Sequence, residues 1–294
     1  MIEHIDHSWR YPVHVQQFDT VTDWYRHCEK NRPYDFHMTR DFSAGDSWAG
    51  HSNVIEAVKY CEQNLGESHM RPARELMNKI DASFRDRERI SWTPSPHGAY
   101  AVVPEYLANE PFNMRQKQKE TNDSAPIRYF IECVISAGVG LHELERRAAG
   151  IAALIMRTAE ERSVELYCVA AFQDAQDDYS SRYGVIACIK IETHPVDLHS
   201  AIAAFATREF CRSMAMSNVN AIRKRGGTNN WLYGHPTGAI KSRREDQFRK
   251  VLNLDPQDVF MQGGYLTDAH QFDSDPVKWV HAQIEKQRNL DDRS

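Results

Sequence analysis

The fold of this chain is decided by residues 126–172, which read PIRYFIECVISAGVGLHELERRAAGIAALIMRTAEERSVELYCVAAF. Residues 127–135 are apolar on both sides of a two-residue alternation, which is typical of a strand covered above and below. Residues 136–140 turn the chain, and apolar residues then recur at helical spacing from Leu141 to Ile155. Because residues 164–172 form a second apolar run, the stretch predicts two parallel strands joined by a helix.

Residues 183–191 repeat the buried-strand pattern, and Asp197 can cap a helix that follows. We therefore predict an α/β fold: a three-layer core with a mostly parallel sheet, extended by an N-terminal helical region and C-terminal loops. Residues 1–125 are expected to form helices and loops packed on the core. Residues 126–294 are expected to supply the core, a basic loop and a C-terminal helix, and the two parts can form one single domain.

The composition is that of a soluble globular protein, with 41% hydrophobic and 26% charged residues. No run of about 18 apolar residues is present, so we expect no membrane span. The six cysteines are expected to be buried free thiols in a reducing compartment. A formal net charge of −5 argues against a protein that binds polyanions over its whole surface, but it permits a local basic surface.

Motifs for catalysis, nucleotides and metals are incomplete. The turn at residues 136–140 has the position of a phosphate-binding turn but not its glycine spacing, so a plain strand-to-helix connection is favoured. The magnesium motif of von Willebrand A domains would fall on residues 132–137, where its ligands are missing. The sequence contains no C-x-x-C or H-E-x-x-H zinc motif and no G-x-S-x-G nucleophile motif. Three aspartates follow the second strand of the core, and they fit a solvated acidic loop: Asp174, Asp177 and Asp178. We therefore predict no catalytic residue, no metal and no cofactor.

Two basic segments fit single-stranded nucleic acid, which is held by cations along the backbone and by aromatic rings under the bases. Residues 223–233 interleave cations, glycines, asparagines and aromatic rings, and residues 115–119 form a second basic patch just after Phe112. A solvated basic loop whose aromatic residue packs inward explains the same composition equally well. The predicted contact residues are Arg115, Lys117, Lys119, Arg223, Lys224, Arg225, Asn229, Asn230, Trp231, Tyr233, Lys241, Arg243 and Arg244.

Three segments resemble a family of bacteriophage proteins. They are residues 42–48 (FSAGDSW), the predicted core with residues 145–150 (ERRAAG), and residues 191–216 with TREFCR at positions 207–212. The chain is similar to the single-stranded-DNA-binding RNA polymerase cofactors (Drc proteins) of Schitoviridae-type phages. The resemblance implies binding of unpaired DNA, recruitment of a phage-encoded RNA polymerase to opened promoters, and a location in the host cytoplasm.

The resulting hypothesis is a non-enzymatic transcription cofactor that binds single-stranded DNA on basic, aromatic-bearing loops. The first alternative is a protein-interaction module with a degenerate von Willebrand A-like core and no nucleic-acid binding. The second is an enzyme with an unrecognised site near residues 174–178.

Overall fold

The structure of the protein is a computed structural model. The structure describes residues 1–7, 12–31, 51, 54–63, 70–71, 74–76, 78–79, 92–95, 100–101, 107, 111, 114–117, 126–134, 141–161, 163–173, 184–193, 197–225, 235–236, 245–261 and 275–291.

The described strands and helices follow one another along the whole chain. The strands are β1 (Ile2–Asp6), β2 (Val13–Phe18), β3 (Trp92–Ser95), β4 (Tyr100–Ala101), β5 (Met114–Lys117), β6 (Ile127–Glu132), β7 (Val164–Gln173), β8 (Gly184–Ile191), β9 (His235–Pro236) and β10 (Val259–Met261). The helices are α1 (Val21–Lys30), α2 (Val54–Gln63), α3 (Leu141–Glu161), α4 (Leu198–Ala206), a π-helical segment (Glu209–Met214), α5 (Ala215–Arg225), α6 (Glu245–Val251) and α7 (Pro276–Asp291).

A mixed sheet in the order β1-β2-β8-β7-β6-β10 forms the centre of the molecule. Among its described strands, the pairs β2–β8, β7–β6 and β6–β10 are parallel, whereas β1–β2 and β8–β7 are antiparallel. The short strand β9 pairs with the end of β7. The predicted parallel pair flanking a crossover helix is thus confirmed as β6 and β7, joined by α3.

Apolar side chains cover both faces of this sheet. On the helical face, β6 and β7 contribute residues such as Tyr129, Ile131 and Leu166, which pack against α1 to α5 and α7. On the second face, Phe130 and Val169 belong to a smaller cluster that includes α6. The two clusters confirm the predicted three-layer α/β core with a mostly parallel sheet.

The N-terminal part differs from the sequence expectation, because residues 1–40 include two strands of the sheet itself. β2 lies between β1 and β8, so the central sheet crosses the expected division at residue 125. The strand was overlooked because Gln16 interrupts its apolar pattern. Gln16 is nevertheless fully buried. Its burial is tolerated because both ends of its amide are hydrogen-bonded: Oε1 accepts from Asn218 Nδ2 at 2.8 Å, and Nε2 donates to Glu3 at 3.3 Å.

The helix predicted to begin at Asp197 begins there but does not continue unbroken. Asp197 Oδ1 accepts from the Ser200 amide at 3.0 Å and caps α4, as expected. α4 then ends at Thr207, whose backbone is extended. The Thr207 hydroxyl donates to the Ala203 carbonyl at 2.7 Å and accepts from the Phe210 amide at 3.3 Å. Thr207 thus closes one helix and caps the π-helical segment that follows.

Candidate nucleic-acid interface

A second, smaller sheet carries part of the predicted basic surface. Its described strands run in the order β3-β5-β4, and both pairings are antiparallel. The register pairs Trp92 with Lys117, and it pairs Arg115 with both Pro94 and Tyr100. Because residues directly opposite each other in such a ladder belong to the same face, these five positions share one face of the sheet.

The two faces of this small sheet differ sharply in residue type. One face holds the positions of two cations and two aromatic residues, Arg115, Lys117, Trp92 and Tyr100. The other holds positions of small, amide or apolar residues: Thr93, Ser95, Ala101, Met114 and Gln116. Since β3, β4 and β5 include no acidic residue, the first face combines the two residue classes that bind an unpaired strand.

Sequence reasoning placed Arg115 and Lys117 among the contacts but overlooked Trp92 and Tyr100. The prolines between residues 91 and 98 are typical of a loop, in agreement with the helices and loops expected for residues 1–125. The structure instead has β3 at the edge of the sheet, where Pro94 is tolerated because an edge strand need not donate every amide. Residues 114–117 lack the alternation of apolar and polar residues that predicts a strand, so the sequence offered no signal for this pairing.

The second predicted basic segment begins in a helix rather than in a loop. Arg223, Lys224 and Arg225 form the last turn of α5. Because successive helical residues are about 100° apart, the three positions spread over roughly 200° around the axis. The three positions therefore do not share one side of the helix, and cations at this end complement the negative end of the helix dipole.

The remaining predicted contacts lie outside the described residues. They are Lys119, Asn229, Asn230, Trp231, Tyr233, Lys241, Arg243 and Arg244. The glycine turn at residues 136–140 and the acidic residues Asp174, Asp177 and Asp178 also lie outside them.

A buried polar cluster surrounds the π-helical segment, a rare geometry that often marks functional sites. Glu209 Oε1 lies 3.0 Å from His51 Nδ1, and the Ser213 hydroxyl donates to the His51 carbonyl at 2.9 Å. Both contacts join His51, three positions before the start of α2, to the π-helical segment. The serine hydroxyl bonds a backbone carbonyl, so the two contacts together form a clamp that holds His51 against the π-helical segment.

The cysteines are free thiols of the core. All six are free and buried, as expected. Cys133 forms sulfur hydrogen bonds with Cys168 and Cys211, and burial raises the pKa of the Cys133 and Cys168 thiols. Because a thiol attacks only as its thiolate, these residues act as small apolar groups of the core.

On the second face of the central sheet, charged side chains border the apolar cluster. Tyr167 stacks on Phe130 with ring centroids 4.5 Å apart, and Lys190 Nζ lies 5.8 Å from the centroid of the Tyr167 ring. Glu165 accepts from Lys190 Nζ at 2.7 Å and from the Tyr167 hydroxyl at 3.0 Å. Burial alone would raise the pKa of Glu165, but these hydrogen bonds and the charge of Lys190 outweigh it and lower that pKa.

This pair predicts a pH-dependent contribution to stability. A carboxyl whose pKa is lowered by folding stabilises the protein above its unfolded pKa of about 4.3, and the contribution is lost as pH falls through the folded pKa. Lys190→Met should therefore lower the free energy of unfolding at neutral pH by less than about 1 kcal/mol, since the pair is partly exposed. In strong acid the variant and the parent should become equally stable.

Urea unfolding at a series of pH values measures this difference. Lys59→Met, which removes an exposed lysine of α2, is the matched control and should show no pH-dependent difference from the parent. A Lys190→Met deficit that persists unchanged into strong acid would show that the lysine contributes by packing on Tyr167 and not through Glu165.

Two observations bear on metals and membranes. Among the residues that the structure describes, no group of three or more histidine, cysteine, aspartate or glutamate side chains is arranged to hold a metal ion. Within the same part of the chain, no helix combines the length and the apolar character that crossing a bilayer requires.

Comparison with known proteins places the chain in a family. Residues 4–258 match the model of a family described as a domain of unknown function (DUF7192), and because the match covers most of the chain, the protein belongs to this family. No curated protein and no solved structure matched the chain. The matched region includes both sheets except for the first residues of β1 and all of β10.

Proposed function

We propose that this protein binds single-stranded DNA on the face of the small sheet that holds Trp92, Tyr100, Arg115 and Lys117. The observation that carries the proposal is the register of β3, β5 and β4, which brings two aromatic and two basic positions together. Aromatic rings provide surfaces for the bases, and the cations neutralise phosphates. The cations at the end of α5 and the predicted contacts beyond it remain predicted DNA contacts in this proposal.

The proposed face suits an unpaired strand better than a duplex. In a duplex the bases are stacked on each other, so aromatic residues cannot reach their faces without unstacking them. In an unpaired strand each base offers a free face, and stacking tolerates any sequence. We therefore propose binding with little sequence preference.

The resemblance to the phage cofactors supplies the wider role. In that role the protein is a transcription cofactor in the host cytoplasm, which holds the opened strand of a promoter and recruits a phage-encoded RNA polymerase. This role requires no catalytic step and no cofactor. The support for it is the resemblance of residues 42–48, 126–172 and 191–216, together with the basic and aromatic face described above.

Fluorescence anisotropy with labelled oligonucleotides tests DNA binding directly. We expect tighter binding to a single-stranded oligonucleotide than to the corresponding duplex, and an affinity that falls steeply as salt rises. The absence of binding to the single strand at low salt would contradict the proposal. That result would favour the alternative of a protein-interaction module with a degenerate von Willebrand A-like core.

The cationic positions can be tested in the same assay. Arg115→Ala combined with Lys117→Ala should reduce the slope of log affinity against log salt by about 1.4, because each lost phosphate contact on a single strand accounts for about 0.7. Gln116→Ala is the matched control, since Gln116 occupies the opposite face of the same strand. An unchanged slope in the double variant would exclude this face as a phosphate-binding surface.

A further inference from the structure

The first strand of the chain lies at the edge of the central sheet and is almost entirely exposed. Among the described strands, β1 pairs with β2 on one side only. Its residues Ile2 and Ile5 are 61% and 49% exposed, although both are large and apolar. An exposed edge strand presents a row of backbone amides and carbonyls that can pair with another strand.

We propose that the outer edge of β1 pairs with β1 of a second copy of this chain, in an antiparallel register in which Ile5 faces Ile5 of the partner subunit. The pairing would join the central sheets of two copies into one continuous sheet. This inference is independent of DNA binding, because it concerns the central sheet and not the small one.

Symmetry restricts how two copies of β1 can pair. Two identical antiparallel strands in one sheet are related by a two-fold axis perpendicular to the sheet, so one residue must face its own copy. The possible centres within the strand's middle are Glu3, His4 and Ile5. The residue on the two-fold axis fixes which residues of the two strands face each other. The side chains that come to face each other then distinguish the three registers.

Only the register centred on Ile5 places each carboxylate opposite an imidazole, with which it can form a hydrogen bond. A centre at Glu3 places two glutamates directly opposite each other, which is destabilising. A centre at His4 places Ile2 opposite Asp6 of the partner subunit and leaves charges facing apolar side chains. A centre at Ile5 places His4 opposite Asp6 of the partner subunit and Glu3 opposite His7 of the partner subunit, with the two isoleucines between them.

The register also agrees with the faces of the sheet. Glu3 and Ile5 share the helical face, because they pair with Gln16 and His14 of β2. His4 and Asp6 pair with Val15 and Val13, so they belong to the second face. The isoleucine pair and the two symmetry-related Glu3–His7 pairs between subunits therefore form on the helical face, and the two His4–Asp6 pairs form on the second face.

The proposed interface is small, since it rests on a strand of five residues. Small interfaces are typical of reversible association, so the dimer should form and dissociate with concentration. Sedimentation velocity of the full chain, without any tag at its N-terminus, should show a monomer–dimer equilibrium across a dilution series.

Substitution at the proposed axis provides the first test. Ile5→Lys places two like charges directly opposite each other and should raise the Kd for dimerisation at least about tenfold. Met156→Lys is the matched control, because Met156 is a 44% exposed apolar residue of α3 away from the edge, and it should leave the equilibrium unchanged. A parent protein that stays monomeric at every concentration overturns the proposal, as does equal dimerisation of the Ile5→Lys variant.

Cysteine substitution tests the register itself. Glu3→Cys, His4→Cys and Ile5→Cys each place a thiol that can cross-link only if that residue lies at the two-fold axis, and the six native cysteines are buried and do not interfere. With diamide as oxidant, Ile5→Cys should form the disulfide dimer fastest. Faster cross-linking of Glu3→Cys or His4→Cys overturns the proposed register even if the protein is dimeric.

Discussion

Replacing Trp92 with alanine is expected to weaken binding of single-stranded DNA by about 1–3 kcal/mol, the usual cost of removing an aromatic ring that stacks on a base. This corresponds to roughly a 5- to 150-fold increase in Kd. The expectation follows from the pairing of Trp92 with Lys117, which joins a ring position and a cation position on one face. Anisotropy titrations with one labelled oligonucleotide measure the change.

The neighbouring residue offers a matched control for Trp92. Thr93 follows it in β3 and occupies the opposite face, so Thr93→Ala should bind DNA as the parent does. Trp92→Phe keeps an aromatic ring and should retain most of the affinity, which separates stacking from a general loss of structure. Equal affinity of the Trp92→Ala and Thr93→Ala variants would show that the small sheet is not the interface.

Replacing Asp258 with alanine is expected to lower the free energy of unfolding by about 1.5–3 kcal/mol, the usual worth of a hydrogen bond to a charged group, because its partner Arg128 is partly exposed. Asp258 is 1% exposed and accepts from Arg128 Nε at 2.8 Å and from Arg128 Nη2 at 2.6 Å. It also accepts from the backbone amide of Asp255 at 2.7 Å. The carboxylate therefore fixes the segment before β10 to the start of β6.

The control for Asp258 is a second aspartate on the same arginine. Asp255 also contacts Arg128 Nη2, but its side chain is 62% exposed, so Asp255→Ala should cost no more than about 1 kcal/mol. Burial alone would lower the pKa of Arg128, but the hydrogen bond and charge of Asp258, with the charge of Asp255, raise it. Urea unfolding compares the variants, and equal losses would mean that burial does not decide the strength of these pairs.

The core of the fold could be predicted because its pattern is local. Residues 126–172 carry the buried alternation and the helical spacing within one continuous stretch, and the structure has β6, α3 and β7 there. The third strand, the cap at Asp197 and the final helix from Pro276 are confirmed for the same reason. In each case neighbouring residues determine the element.

What the sequence did not predict depends on partners far along the chain. Gln16 looks wrong for a buried strand until Asn218, about 200 positions later, is seen to satisfy its amide. The interruption of the helix that begins after Asp197 has a local cause instead, because the Thr207 hydroxyl bonds the backbone four residues before it and three residues after it.

The candidate interface was predicted only in part, for a similar reason. Arg115 and Lys117 stand out by charge, but Trp92 and Tyr100 join them only through strand pairing. A cluster of basic residues can be recognised from composition, whereas the residues that lie beside it on the sheet depend on the register of strand pairing. The basic tract after residue 222 was expected to be a loop, yet its first three cations continue α5.

The position of β2 in the central sheet has a consequence for synthesis of the chain. Val13 pairs with β1 at once, but its parallel neighbour is Gly184, which leaves the ribosome much later. At about 5–20 residues per second, the interval is on the order of ten seconds or longer. During that interval the edge of β2 that will pair with β8 is unoccupied and must be shielded. Slower translation or a shortage of chaperones should therefore reduce the yield of native protein, while the stability of the protein that does fold should not change.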